Sequence, residues 1–192
     1  MHITILTIGS RGDFQPYLAF AIGLKNAGYT VRLATHAKFE QDILGYGLEF
    51  AVINGNPQEA IASEAGQKFM QTKNPLVLPS RFAELLKTIM ETALLDSWNA
   101  CQGTDVVISG SIVFWGFDIA QKLGVPFYYG TMQQFTPTKE LPIQATPPEL
   151  EKLGGLYNKL TYIILNQIFW LVFRNPVNQF RQNILKMPAS PI

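Results

Sequence analysis

The 192-residue chain has one cysteine, Cys101, and two histidines. A single thiol excludes an internal disulfide and fits a reducing compartment. Cys101 itself is expected as a small buried residue. No second His or Cys stands at metal-ligand spacing from His36, so no metal is expected. Charge is also scarce. Only 15% of residues are charged, and 15 Lys and Arg against 14 Asp and Glu leave a formal +1. That balance has no electrostatic footprint for DNA or RNA, so no nucleic-acid partner is expected. There is no uninterrupted apolar run of about 20 residues, the length a membrane-crossing helix needs. The nearest candidate, LTYIILNQIFWLVF at 160–173, is shorter and carries Asn166 and Gln167. The N-terminus lacks a basic leader before its short apolar run at 3–8. The expectation there is a buried strand opening a cytoplasmic domain, not a signal peptide.

What the chain does have is apolar mass: 47% hydrophobic and 12% aromatic residues. That suits one domain with a sizeable core and a small or lipophilic ligand. Residues 2–8 are rich in β-branched side chains and predict a strand. Pro16 suits the first turn of a helix that closes at Gly28. A strand at 30–36, a helix at 37–47 and a strand at 48–53 follow. Strands alternating with helices through short crossovers mark the mononucleotide-binding half of a doubly wound sheet. Helical stretches at 58–71 and 80–101, a strand at 104–110, a helix at 114–124 and a strand at 125–130 come next. A proline-bearing loop at 131–148 leads to helices at 148–173 and 176–185. The expected class is α/β: a Rossmann-like, doubly wound parallel sheet making one domain over 1–192.

In such a sheet, ligands sit beyond the carboxyl ends of the strands. The stretch Gly9-Ser10-Arg11-Gly12-Asp13 lies there, after the first strand and before a helix N-terminus that favours negative charge. It is not a P-loop, since no Lys-Ser/Thr follows the second glycine, and it lacks the third glycine of G-x-G-x-x-G. Arg11-Gly12-Asp13 also spells an adhesion tripeptide, a reading that a chain without a secretion signal or disulfides disfavours. Asp13 has two readings: a helix cap, though early for one if Pro16 opens the helix, or a base that takes a proton from a bound alcohol.

The stretch GSRGDFQPYLAFAIGLKNAGYTVRLATHAKFEQDILGYGLEFAVI resembles the opening of the sterol and lipid glucosyltransferases and of the glycopeptide-antibiotic glycosyltransferases. Those N-terminal domains begin G-[ST]-R-G-D-x-x-P and continue to A-T-H. The segment GSIVFWGFDIAQKLGVPFYYGTMQQFTPT and the tail NPVNQFRQNILKMP resemble later parts of the same domain. The resemblance implies the N-terminal, acceptor-binding half of a GT-B fold, two Rossmann-like domains facing across a cleft. It implies an inverting, metal-independent transfer of a hexose, UDP-glucose being the expected donor, to a hydroxyl of a lipophilic acceptor. Asp13 maps onto the proposed catalytic base. Gly9, Ser10, Arg11, Gly12 and His36, with Thr131, Met132, Gln133 and Phe135 of the loop after the fifth strand, are the expected substrate-binding residues. The nucleotide-sugar is a co-substrate held mainly by the second domain, and no other cofactor is expected.

The chain departs from the pattern in three ways. Phe14 stands where a smaller aliphatic residue is usual. Asp118 stands where the sterol-type enzymes often carry His, and is expected as an exposed first-turn residue. The donor-binding motifs do not occur in 1–192, so the expectation is half an enzyme, inactive alone, whose partner is a C-terminal donor-binding domain or subunit. Residues 156–173 are apolar on nearly every face and are expected either to pack as core or to touch a membrane or lipid chain. A non-catalytic lipid- or partner-binding module that kept the acceptor fold is the alternative function.

Overall fold

The computed structural model describes residues 1–55, 61–72, 77–132, 134–143, 146 and 153–190. Five strands form one parallel sheet: β1 (His2–Leu6), β2 (Thr30–Thr35), β3 (Glu49–Val52), β4 (Val106–Ser109) and β5 (Phe127–Tyr129). Their spatial order is β3-β2-β1-β4-β5. The α-helices among the described residues are α1 (Arg11–Asn26), α2 (Glu40–Gly45), α3 (Glu64–Gln71), α4 (Leu78–Ala100), α5 (Gly116–Leu123) and α6 (Gly155–Asn183). A 3-10 turn at Ala37–Phe39 leads into α2.

The two-residue period of the strands sorts the core into two layers. Ile3 and Ile5 of β1, Val31 and Leu33 of β2, and Val106 and Ile108 of β4 pack with Phe14, Tyr17 and Ala21 of α1 and Ile43 of α2. Their neighbours Leu6, Ala34 and Val107 point through the other face, toward Met90 and Leu94 of α4, Ile119 of α5, and Val177 and Phe180 of α6. The register sets Ile5 opposite Leu33 on one side and Ile108 on the other, so each layer is continuous across the sheet. The expected doubly wound α/β sheet is therefore what forms.

Three expectations change. The helix expected to open at Pro16 opens at Arg11, with Ser10 as its N-cap and Pro16 inside. An internal proline forfeits one helical hydrogen bond and costs about 3 kcal/mol. Burial of Phe14 and Tyr17 offsets that, each worth about 1.5–3 kcal/mol, and Phe14 stacks on Phe39 with ring centroids 4.0 Å apart. The expected break before residue 176 is also absent: α6 runs unbroken through Pro176. Phe173, Val177 and Phe180 lie on one face and are all buried in the core, which holds the two halves in line. The N-terminal ends expected for the helices at 58–71 and 148–173 fall partly outside the described residues.

Asp118 is the third change. It is buried rather than exposed, and its Oδ1 pairs with Nη1 of Arg181 on α6, itself buried. Arg181 also donates to the carbonyl of Pro188 at 2.9 Å and to Oε1 of Gln121 at 3.2 Å. Burial pushes the Asp118 carboxyl above its ordinary pKa, and the Arg181 guanidinium draws it only partly back. The pair fixes α6 against α5.

Removing one partner of a buried ion pair strands the other charge. Asp118→Ala is therefore expected to lower the unfolding free energy by about 3 kcal/mol, read from urea denaturation midpoints. Cys101 is fully buried, and burial raises its thiol pKa to about 12. A thiol-specific chromogenic reagent at neutral pH should leave it unmodified in the folded chain and titrate one thiol per chain in denaturant.

Candidate active site

β1 and β4 lie side by side, but their chains leave in opposite directions, β1 toward β2 and β4 toward β5. Such a switch point opens a crevice at the carboxyl ends of the strands. Here the crevice is a cleft of about 670 Å3. Asp13 of α1, Ser111, Ile112 and Phe114 after β4, and Tyr129 at the end of β5 line its sheet side. Leu165, Asn166, Phe169, Trp170 and Phe173 of α6 line the opposite side, and residues 135–137 close it. The aromatic part is tightly built: the Phe114 ring lies edge-on to Phe173 with centroids 5.1 Å apart, and Phe169 sits 4.5 Å from Phe173. A cleft of this size with apolar walls and few polar groups suits a small apolar ligand.

The carboxylate in this apolar frame is held from one side. Asp13 Oδ2 accepts from the Ser10 backbone N–H and from the Ser10 hydroxyl, both at 2.8 Å. This is the carboxylate half of a capping box. Among the described residues no donor reaches Oδ1, so that oxygen has a lone pair for another partner. Thr7 Oγ1 donates to the Asp13 carbonyl at 3.1 Å and ties the strand exit to the first turn of α1. Gly9 makes the turn with φ of 139°, and a Cβ there would lie 2.5 Å from Asp13 Oδ2. Gly9 is thus required twice, for its backbone conformation and for the carboxylate beside it. Gly12 sits in the first turn of α1, exposed, and a Cβ would meet nothing closer than Ser10 Oγ at 3.7 Å.

His36 is buried behind this turn. Its Nε2 accepts from the Gly9 N–H at 3.3 Å, and its Nδ1 lies 3.0 Å from the carbonyl of Ile53. A ring that accepts at Nε2 and faces a carbonyl at Nδ1 carries its proton on Nδ1. In this structure His36 braces Gly9 from behind the loop.

Two phenols stand at the carboxyl ends of the strands, Tyr129 lining the cleft and Tyr17 buried beside it. The Tyr17 hydroxyl donates to the carbonyl of Gly130, and the Tyr129 hydroxyl to that of Ser111. Burial raises the Tyr17 pKa, hydrogen bonding by Ser111 lowers it in part, and the negative charge of Asp13 adds to the rise. Burial, then the neighbouring Tyr17, raises Tyr129 to about 12. Both remain neutral donors at physiological pH.

Of the residues singled out from sequence, Asp13 and Phe135 line the cleft. Gly9 and Ser10 shape the turn behind Asp13. Arg11 and Gly12 are exposed at the start of α1. Thr131 is half-buried and Met132 exposed, neither lining the cleft, and Gln133 lies outside the described residues. Sequence reasoning did not single out Tyr17, Ser111, Phe114 or Asn166 as site residues. Asn166 carried a faint signal, standing with Gln167 inside the apolar run at 160–173. Among the described residues, no three of His, Cys, Asp and Glu come together as a metal site would need.

An all-parallel sheet in this order, with helices on both faces and a cleft at its switch point, is a Rossmann-like α/β domain. The chain belongs to the glycosyltransferase family 28 N-terminal domain family, whose model matches residues 3–142. It is 36% identical to a sterol 3-beta-glucosyltransferase of Glomerella lagenarium over all of this chain and 13% of that protein. It is 37% identical to the enzyme of that name from Candida albicans, over 98% of this chain and 12% of that protein. The chain thus spans about an eighth of those two relatives. In fold it is similar to the Streptomyces sp. SF2575 glycosyltransferase SsfS6, with TM-score 0.58 and 15% identity over 100% of this chain and 48% of that one. The glycotransferase of kitacinnamycin superposes with TM-score 0.60 and 12% identity over 98% of this chain and 42% of that one.

The two glycines of the turn should separate on substitution. Gly9→Ala is expected to destabilise the chain by about 1–3 kcal/mol. Gly12→Ala should be neutral or stabilising, by up to about 1 kcal/mol. Thermal melts of the two variants beside the parent chain check both, and equal losses would contradict the assigned turn.

Proposed function

We propose that this chain is the acceptor-binding part of an inverting, metal-independent glycosyltransferase that moves a hexose from a nucleotide-sugar to a hydroxyl of a lipophilic alcohol. The carrying observation is the placement of Asp13, a carboxylate with an uncommitted oxygen at the edge of a cleft walled by Phe114, Phe169, Trp170 and Phe173. The names of the relatives support a sterol-like acceptor and glucose as the sugar. A fused-ring alcohol would lay its apolar body against the aromatic wall and bring its hydroxyl to the sheet side.

In this reading Asp13 Oδ1 accepts the hydroxyl proton as the acceptor oxygen attacks the anomeric carbon. The new C–O bond forms as the bond from that carbon to the nucleoside diphosphate breaks, and the leaving group takes the electron pair. One in-line displacement inverts the anomeric centre. Ser10 keeps Oδ2 occupied, which fixes the direction of Oδ1. Ser111, Tyr129 and Asn166 are the polar groups that would orient the hydroxyl. The nucleotide-sugar is held by a second domain or subunit facing this cleft.

The test is sugar transfer to a sterol by this chain combined with a family 28 donor-binding half. Asp13→Asn keeps an oxygen for the Ser10 donors and removes the base. It is expected to lower kcat by about 100-fold or more with little change in acceptor KM. Full activity in that variant would remove Asp13 from the mechanism. Turnover of UDP-glucose by the 192-residue chain alone would contradict the two-part reading.

A further inference from the structure

One face of α6 is left over once the cleft and the core are accounted for. Leu156, Leu160, Ile163, Ile164, Ile168 and Leu171 recur at helical spacing and are all exposed, Leu156 by 73% and Leu171 by 64%. At a rise of about 1.5 Å per residue they make an apolar stripe roughly 20 Å long. An isolated exposed leucine is ordinary, but a stripe of this length, interrupted by the exposed Gln167, marks a contact surface. The opposite face of the same helix carries the buried Asn158, Tyr162, Phe173 and Val177, so the exposure is not a sign of a loosely packed helix.

The charge pattern says what the stripe meets. No Asp or Glu occurs anywhere in α6. Its basic residues are Lys159, Arg174 and Arg181, and Arg181 is committed to Asp118. Lys159 and Arg174 are exposed, one near each end of the stripe. An apolar face with basic residues at its ends and no acidic residue is complementary to an anionic lipid surface, into which aliphatic side chains dip while Lys and Arg reach the headgroups. Among the described residues no helix is long and apolar enough to cross a membrane, so a helix of this kind would lie on the surface and not span it.

We propose that this face of α6 docks on an anionic lipid bilayer, placing the mouth of the cleft at the membrane. The turn of helix that carries Leu171 also carries Trp170, which lines the cleft. A lipophilic alcohol leaving the bilayer beside Leu171 would thus enter next to Trp170 of the cleft wall. The use made of the membrane rests on the acceptor reading above, whereas the docking does not, and the test reads docking alone.

The experiment is flotation of the full chain with phosphatidylcholine vesicles, with and without phosphatidylserine and without any acceptor. The parent chain is expected to float with the anionic vesicles and to be released several-fold by high salt. Ile164→Ser with Leu171→Ser should reduce flotation about tenfold. Lys159→Glu with Arg174→Glu should abolish the preference for phosphatidylserine. All four sites are exposed, so unchanged melting temperatures are expected and separate lost docking from lost folding. Flotation by the serine variant equal to the parent would overturn the proposal, as would a parent chain that stays at the bottom of the gradient. Self-association in place of vesicle binding, removed by the same serine substitutions, would assign the stripe to a protein interface and overturn it equally. Lost flotation with sugar transfer to a detergent-dispersed sterol intact would leave the acceptor reading standing by itself.

Discussion

Asp13 Oδ2 accepts two hydrogen bonds from Ser10, and the sheet side of the cleft is arranged around that contact. The bonds start α1 directly after the turn from β1, which brings Phe14 and Tyr17 down onto the sheet. Gly9 must then turn with a positive φ and lack a Cβ, because the carboxylate fills the space a side chain would need. His36 reaches from the end of β2 to hold the Gly9 N–H. Three elements meet at one carboxylate, and moving it would move the helix start with it.

That arrangement bears on chemistry. A cap is a structural duty and a base a chemical one, and they often compete for the same lone pairs. In the proposed reading they would be divided between two oxygens of one group, Oδ2 toward Ser10 and Oδ1, which no described donor reaches, toward the acceptor. A carboxylate anchored on one side has little freedom to rotate, and a fixed direction is what proton transfer to a positioned hydroxyl requires. The other wall of the cleft depends on α6, whose place is set by the buried Asp118–Arg181 pair and by Phe173, Val177 and Phe180 in the core.

The α/β class and the succession of strands and helices along the chain were readable from alternation and chain punctuation. The β-branched run at 2–8, the alternating strands and the glycines Gly28, Gly47 and Gly124 that close three of the helices are local signals, and the sheet that forms obeys them. Helix boundaries were less readable. Pro16 and Pro176 looked like a start and a break because local rules price a proline by its missing N–H alone. Both helices continue through their prolines because residues on either side are buried on one face. Asp118 looked exposed for the same reason: nothing near it in the chain shows that Arg181 will cover it. The loop Gly9-Ser10-Arg11-Gly12-Asp13 was legible as a candidate site, and its Asp13 does line the cleft. Its division of labour, with Gly9 confined to glycine by its positive φ, Gly12 sterically idle and His36 behind the turn, was not.

By itself the sequence determined the parallel α/β class, the position of the loop at the end of the first strand and the resemblance to one family of transferases. These follow from short-range periodicity and from residue types at fixed spacing. Tertiary structure alone decided which side chains face Asp13. Phe114, Tyr129 and Trp170 come from distant parts of the chain and converge only because the sheet order places β4 and β5 beside β1 and the packed core lays α6 across them. A site assembled from such separated segments leaves no local pattern, since its geometry is a property of the packing and not of any one stretch of residues.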